Sequence, residues 1–150
     1  MHLRRVDDPP GDLVATIEAR LLADLRATVP QSLNSRFAFL REDAAGEIVA
    51  GLMASTGYGW LHVEMLWVSP ALRLGGVGRA LMAAAEAEGR VRGCRGAWLD
   101  TSNGSAAAFY RRLGYEPFGV LASAPGDPVP THRRWFLSRR LPPEAGAPGG

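Results

Sequence analysis

Apolar residues at helical spacing mark three stretches of the chain. Residues 11–28 carry leucine and isoleucine at four-residue steps, which is the period of an amphipathic helix. Residues 76–93 show the same kind of pattern, with Glu86 and Arg90 among the polar positions, and residues 105–113 show a shorter one. These stretches predict three α-helices, each ended by a proline or a glycine.

Short apolar runs between turn residues predict the strands. Residues 36–41 and 47–53 flank a turn and form a hairpin. Residues 58–68 are apolar at odd and even positions, which is typical of a strand in the middle of a sheet. Further strands are predicted at residues 96–101, 116–121 and 132–137. The order β-α-β-β-β-α-β-α-β-β puts one mixed sheet between a few helices and indicates an α/β (α+β) protein.

Length and composition exclude several classes of protein. The 150 residues, 47% of them hydrophobic, suit one packed domain, expected over residues 1–141 with a disordered Pro/Gly-rich tail at 142–150. No apolar run approaches the roughly 20 residues of a membrane span, and the N-terminus lacks a signal-peptide pattern. We therefore expect a soluble, cytoplasmic protein with no membrane partner. The net charge of +2 is too small to indicate a nucleic-acid partner.

The single cysteine, Cys94, limits the chemistry further. One cysteine excludes an intramolecular disulfide. Because the chain has only three histidines in addition, no metal site is expected. Cys94 lies between arginines and glycines in a predicted turn, so we expect it to be structural rather than a nucleophile.

A glycine-rich turn after the central strand is the most informative pattern. Gly75, Gly76 and Gly78 fall within four positions where the next helix begins. Unpaired N–H groups at a helix start attract an anion, glycines let the backbone approach a phosphate, and Arg73 and Arg79 add positive charge. The spacing is neither GxGxxG nor GxxxxGK[ST], and the chain has no lysine, which argues against ATP. A turn that only lets the strand and the helix pack is the alternative.

This turn matches [RQ]-x-x-G-x-[GA] and resembles the coenzyme A pyrophosphate signature of the GNAT superfamily of N-acyltransferases. Residues 103–115 match a second pattern of that superfamily, N-x-x-A-x-x-[LF]-Y-x-x-x-G-[FY], at the expected distance downstream. The closest resemblance is to a small bacterial subgroup.

The resemblance implies the GNAT fold, a mixed and mostly antiparallel sheet of six to seven strands flanked by about four helices, with splayed central strands. It also implies acetyl-CoA as acyl donor without a metal, and a Tyr110 hydroxyl that protonates the coenzyme thiolate. The residues that it assigns to the coenzyme are Leu66, Trp67, Val68, Arg73, Leu74, Gly75, Gly76, Val77, Gly78, Arg79, Asn103, Ala106 and Tyr110.

Acyl transfer to an amine also needs a group that removes a proton from the amine. Regular alternation along the central strand puts His62 and Glu64 on the same face as Leu66 and Val68. Glu64 is the first candidate base, directly or through water, because partial burial would raise its pKa. His62 is the second candidate and Asp100 the third. Alternatively, Glu64 is a structural carboxylate paired with an arginine or with His62.

These patterns predict an acetyl-CoA-dependent N-acetyltransferase that acts on a primary amine of a small molecule. Direct attack by the amine is expected, since no placed cysteine serves as nucleophile. Acetylation of a protein or of an aminoacyl-tRNA amine, and a non-catalytic acyl-CoA-binding sensor, stay open as alternatives. Many relatives pair as dimers, so a homodimer is also expected, with strand 132–137 as the exposed edge that pairs.

Overall fold

The computed structural model describes residues 3–30 and 32–143. The chain divides into two compact units, Met1–Ser32 and Leu33–Gly150. The predicted tail lies outside the described residues from position 144 onward. In chain order the elements are α1 (Gly11–Thr28), β1 (Ser35–Glu42), β2 (Ile48–Gly57), β3 (Trp60–Val68), a short 3-10 helix (Pro70–Leu72), α2 (Val77–Val91), β4 (Gly96–Thr101), α3 (Gly104–Arg112), β5 (Glu116–Ala122) and β6 (Arg133–Arg140).

The first unit contains helix α1. Pro10 precedes the helix in an extended conformation, and Asp12 lies in the first turn, where a carboxylate interacts favourably with unpaired backbone N–H groups. The helix ends at Thr28, two residues before Pro30, which cannot continue a helix. The helix predicted over residues 11–28 is confirmed. None of the described helices is long and apolar enough to cross a membrane.

The second unit is built on one sheet with the strand order β1-β2-β3-β4-β6-β5. Strands β3 and β4 are parallel, and all the other neighbouring pairs are antiparallel. The predicted fold class, with a mixed and mostly antiparallel sheet, is confirmed. The predicted order begins with a strand before the first helix, but residues 3–10 form no strand. The described residues therefore contain six strands and three α-helices.

Strand β6 lies inside the sheet. It pairs with β4 on one side and with β5 on the other. The prediction that residues 132–137 form an exposed edge is therefore wrong, because the edges of this sheet are β1 and β5. A second copy of the chain cannot add to β6, and the homodimer stays a prediction without an assigned strand.

Helices α2 and α3 pack against the sheet around one core. The side chains of Leu52, Leu61 and Leu99 are at most 1% exposed, and they share a cluster with Met82 of α2 and Tyr110 of α3. Because side chains alternate between the two faces of a strand, their sequence neighbours point to the opposite face. That opposite face carries the candidate site.

Helix α2 also buries a charged residue. Glu86 is 6% exposed. The prediction that it lies on the polar face of the helix is therefore wrong. The hydroxyl of Tyr115 donates a hydrogen bond to Oε1 of Glu86 at 3.0 Å, and Nη1 of Arg139 lies 3.3 Å from Oε2. The carboxylate is buried because other elements supply these partners.

Candidate active site

A gap opens between the two parallel strands at the centre of the sheet. Strand β3 pairs with β4 only over Trp60–His62. Beyond that point β3 continues to Val68 beside β2, whereas β4 continues to Thr101 beside β6. The splayed central strands predicted from the resemblance are confirmed. On this stretch of β3, backbone groups that face the gap have no β4 partner and are available to a ligand.

A β-bulge at Glu64 marks the start of the gap. Met53 of β2 pairs with Met65, but the next residue of β2 pairs with Val63, so Glu64 is the extra residue. One extra residue reverses the alternation of side chains. Val63 before the bulge and Leu66 after it both pack in or against the core.

Because of the bulge, two side chains of β3 lie on the other face of the sheet than predicted. Leu66 and Val68 pack against the core, so the prediction that they share the face of His62 and Glu64 is wrong. The backbone of Leu66, Trp67 and Val68 still lines the open edge of β3.

The strand, the glycine-rich turn and the helix follow one another as predicted. Helix α2 begins at Val77, and its first turn has no acidic residue and no side-chain cap, which leaves its N–H groups to an anion. Gly76 precedes it with φ +82°, a conformation that suits glycine. A Cβ on Gly78 would lie 3.4 Å from the ring of Phe109, so this glycine lets α2 approach α3. Arg73 donates from Nε to the carbonyl oxygen of Val68 at 3.1 Å, while Arg79 is exposed.

A cleft of about 690 Å³ lies on the sheet face opposite the core. Strands β1 to β4 all contribute to its walls. Its lining includes Arg36, Ser55, Trp60, His62, Glu64 and Trp98.

Glu64 is held as a carboxylate in this cleft. Arg36 of β1 forms an ion pair with it. Hydrogen bonds from Arg36 and then from Ser55 lower the pKa of Glu64, and they outweigh the burial that raises it. The prediction that burial raises the pKa of Glu64 is therefore wrong. The alternative, a carboxylate paired with an arginine, is present. A carboxyl group with a lowered pKa is a weaker base.

His62 also lines the cleft, but its uncharged form is favoured, whereas Glu64 is charged. Its ring stacks on Trp98 with centroids 3.8 Å apart and planes 1° from parallel. Burial lowers the pKa of His62, and the charges of Glu64 and Asp100 only partly oppose this effect. The neutral imidazole, which can accept a proton, is therefore favoured near pH 7. Asp100 forms an ion pair with Arg134.

Tyr110 and Asn103 lie on and beside helix α3. Tyr110 is 8% exposed, and burial raises the pKa of its hydroxyl, which therefore keeps its proton. Oδ1 of Asn103 accepts hydrogen bonds from the backbone N–H groups of Ser105 at 2.9 Å and Ala106 at 3.1 Å. Asn103 is thus the N-cap of α3, and its amide NH₂ group can still donate to a ligand.

Comparison with known proteins decides the family. The model of the acetyltransferase (GNAT) family matches residues 7–115. This chain belongs to the GNAT family. GNAT acetyltransferases use acetyl-CoA, and the two motifs that carry the resemblance lie within the matched residues.

Three relatives illustrate the match to the GNAT family. Acetyltransferase Atu2258 of Agrobacterium fabrum is 43% identical over 74 residues, which are 49% of this chain and 54% of the relative. Blasticidin-S acetyltransferase of Streptomyces morookaense is 40% identical over 84 residues, 55% of this chain and 60% of the relative. A crystal structure of an Agrobacterium tumefaciens protein classed as an acetyltransferase covers 93% of this chain and 99% of its own, with TM-score 0.85 and 29% identity. This chain therefore matches less than two thirds of the length of either curated relative.

The candidate site also contains residues that the sequence analysis did not assign to it. Arg36 and Ser55 hold Glu64 from β1 and β2, and Trp98 supports the ring of His62. Arg36 carried no signal in the sequence, because exposed and partly buried positions alternate along much of its strand whereas polar and apolar residues do not. Its partner could not be known without the register of the sheet.

Proposed function

We propose that this chain is an acetyl-CoA-dependent N-acetyltransferase that moves the acetyl group to a primary amine of a small molecule. One observation carries the proposal: the gap beside β3 begins at Glu64, next to His62, and the same strand leads into the glycine-rich turn. From His62 to Val68, β3 spans about 20 Å at 3.3 Å per residue. A thioester at one end of the gap and phosphates at the other would use both ends of this strand.

The coenzyme would be held along this path. Its pyrophosphate would bind at the N-terminus of α2 with Arg73 and Arg79 nearby, and its pantetheine arm would pair with the backbone of Leu66–Val68 and with Asn103. Acetyl-CoA supplies an acetyl group on a thioester, whose carbonyl carbon an amine can attack.

Two side chains of the cleft and Tyr110 of helix α3, which does not line the cleft, would then divide the proton transfers. His62 accepts a proton from the amine, because its neutral form is favoured in the cleft. Glu64 stays charged and attracts the ammonium form of the acceptor. Tyr110 keeps its proton until it can donate it to the leaving sulfur. Cys94 is 1% exposed, and burial raises the pKa of its thiol, so direct attack by the amine is favoured over an acyl-cysteine.

Support for a small acceptor comes from the cleft and from one relative. A volume of about 690 Å³ suits a small molecule, and the Glu64 carboxylate, which is paired with Arg36, can also accept a hydrogen bond from an amine. One relative is named for blasticidin S, which agrees with a small-molecule acceptor.

Calorimetric titration and a thiol-release assay test the proposal. Acetyl-CoA and desacetyl coenzyme A are expected to bind, ATP is expected not to bind, and one pool of primary amines is expected to release thiol from acetyl-CoA. Binding without release from any pool of small amines would contradict the small-molecule acceptor. No binding of either coenzyme form would contradict the whole proposal.

A charge at the glycine-rich turn should weaken coenzyme binding. Gly76→Asp and Gly76→Asn place side chains of nearly the same shape at φ +82°, which Asn and Asp tolerate better than other residues. We expect the Asp variant to bind desacetyl coenzyme A about tenfold more weakly than the Asn variant, because only Asp repels the pyrophosphate. Calorimetry measures both dissociation constants, and equal values would contradict a phosphate site at this turn.

Removal of Arg36 should change the titration of Glu64. In Arg36→Gln, the pKa of Glu64 is expected to rise towards its ordinary value, because the largest cause of its lowering is lost. Arg134→Gln is the matched control, since Arg134 pairs with Asp100 instead. Carboxyl ¹³C NMR titration measures the change, and an equal rise in both variants would contradict a specific effect of Arg36.

A further inference from the structure

A second cavity, of about 500 Å³, lies next to the cleft. We call it the aromatic pocket, and it is lined by Trp60, Trp98, Phe118, Phe136 and Ser138. Trp60 and Trp98 also line the cleft, so the two cavities share a wall. The cleft contains carboxylate, guanidinium and imidazole groups, whereas the lining of the aromatic pocket contains four aromatic rings, one hydroxyl group and no charge.

The sheet brings these rings together from four strands. Trp98 of β4 lies opposite Ser138 of β6. On the other side of β6, Phe136 pairs with Gly119, because the register of β5 shifts at Phe118. The ring of Phe118 lies 6.2 Å from that of Phe136.

Phe118 presents most of its side chain to solvent beside the aromatic pocket. It is 61% exposed on an edge strand, and its position at a bulge is a common way to direct a side chain towards a site. An exposed phenylalanine beside three other rings around a cavity marks a surface that can bind an apolar group.

From this arrangement we infer that the aromatic pocket binds an uncharged aromatic or heteroaromatic ring of the acceptor whose amine lies at His62. The inference rests on the proposed function and adds the substrate class. Flat rings gain from edge and face contacts with aromatic walls, and a charged group would find no partner in this lining. The hydroxyl of Ser138 can form one hydrogen bond with a ring substituent.

Strand spacing sets the length of the acceptor. His62 is on β3, whereas the centre of the aromatic pocket lies over β4 and β6, one to two strands away. This separation is about 5–10 Å at 4.8 Å per strand. A ring joined to a primary amine by two or more atoms reaches into this range, so the class is the arylalkylamines.

Two matched amines test the inference. 2-Phenylethylamine and 2-cyclohexylethylamine have the same amine and the same linker, and differ in whether the ring is aromatic. Calorimetry on the protein with desacetyl coenzyme A present is expected to show about threefold to tenfold tighter binding of the phenyl compound. Phe118→Ala should reduce this preference, because it removes one of the four rings. Leu121→Ala should retain it, because Leu121 is equally exposed on the same strand, at 62%, and does not line the aromatic pocket.

The outcomes separate this inference from the proposed function. Equal affinities for the two amines, or an equal loss of preference in both alanine variants, would overturn the aromatic pocket. Thiol release from acetyl-CoA is measured with the same amines and with ethylamine, which has no ring. Acetylation of ethylamine as efficient as that of 2-phenylethylamine would also overturn the pocket and leave the activity standing. A phenyl preference in binding without thiol release from any amine would support the pocket and contradict the acetyltransferase.

Discussion

His62→Gln is expected to lower kcat/KM for acetyl transfer by about 100-fold or more, the usual contribution of a positioned general base. Glutamine keeps a polar side chain beside Trp98 but cannot accept the amine proton. Because His62 faces the cleft rather than the glycine-rich turn, the dissociation constant of desacetyl coenzyme A should stay unchanged. Steady-state kinetics and calorimetry together separate the loss of catalysis from a loss of coenzyme binding.

The pH profile identifies the base more sharply than the size of the loss. Burial lowers the pKa of His62 below its ordinary value of 6.5, so in the wild type kcat/KM should fall with decreasing pH only below 6.5. His62→Gln should remove this acid limb. Glu64→Gln should retain a limb and mainly raise KM, because Glu64 is proposed to attract the acceptor. If the fall of kcat/KM at low pH persists in His62→Gln and disappears in Glu64→Gln, Glu64 is the base and the assignment of His62 is wrong.

Glu86→Ala is expected to reduce the free energy of unfolding by about 1–3 kcal/mol, the cost of leaving a buried hydrogen-bond donor without its acceptor. The substitution leaves the Tyr115 hydroxyl without its acceptor and the Arg139 guanidinium without its carboxylate. Arg139 keeps only its 2.7 Å hydrogen bond to the carbonyl oxygen of Leu113. Urea unfolding should show a lower midpoint with an unchanged slope.

A residue on the same helix is the control for Glu86. Glu88 forms an ion pair with Arg92 in which both side chains are 31% exposed, and Glu88→Ala should cost about 0–1 kcal/mol, as is usual for surface pairs. Glu86→Gln should fall between the two variants, since its amide oxygen can still accept from Tyr115. A loss in Glu86→Ala no greater than that in Glu88→Ala would contradict the importance of the buried network.

Features that depend on near neighbours in the chain were predictable from the amino-acid pattern alone. The spacing of apolar residues predicted helix α1, and the strand, glycine-rich turn and helix from β3 to α2 were predicted in the right order. Helix α3 was predicted over residues 105–113 and begins at Gly104, where the side chain of its N-cap Asn103 reaches N–H groups two and three residues away. Contacts over so few residues follow from local backbone geometry, which a sequence pattern encodes.

Features that depend on strand order and register became known from the folded sheet. One unpredicted bulge at Glu64 moved Leu66 and Val68 to the core face. The partner of Glu64 lies 28 residues away in another strand, and that partner reversed the expected direction of the pKa shift. Strand β6 is interior although its own pattern permits an edge. Side-chain periodicity carries no information on which strands pair or where a residue is inserted, so these contacts are determined by the packing of the whole sheet.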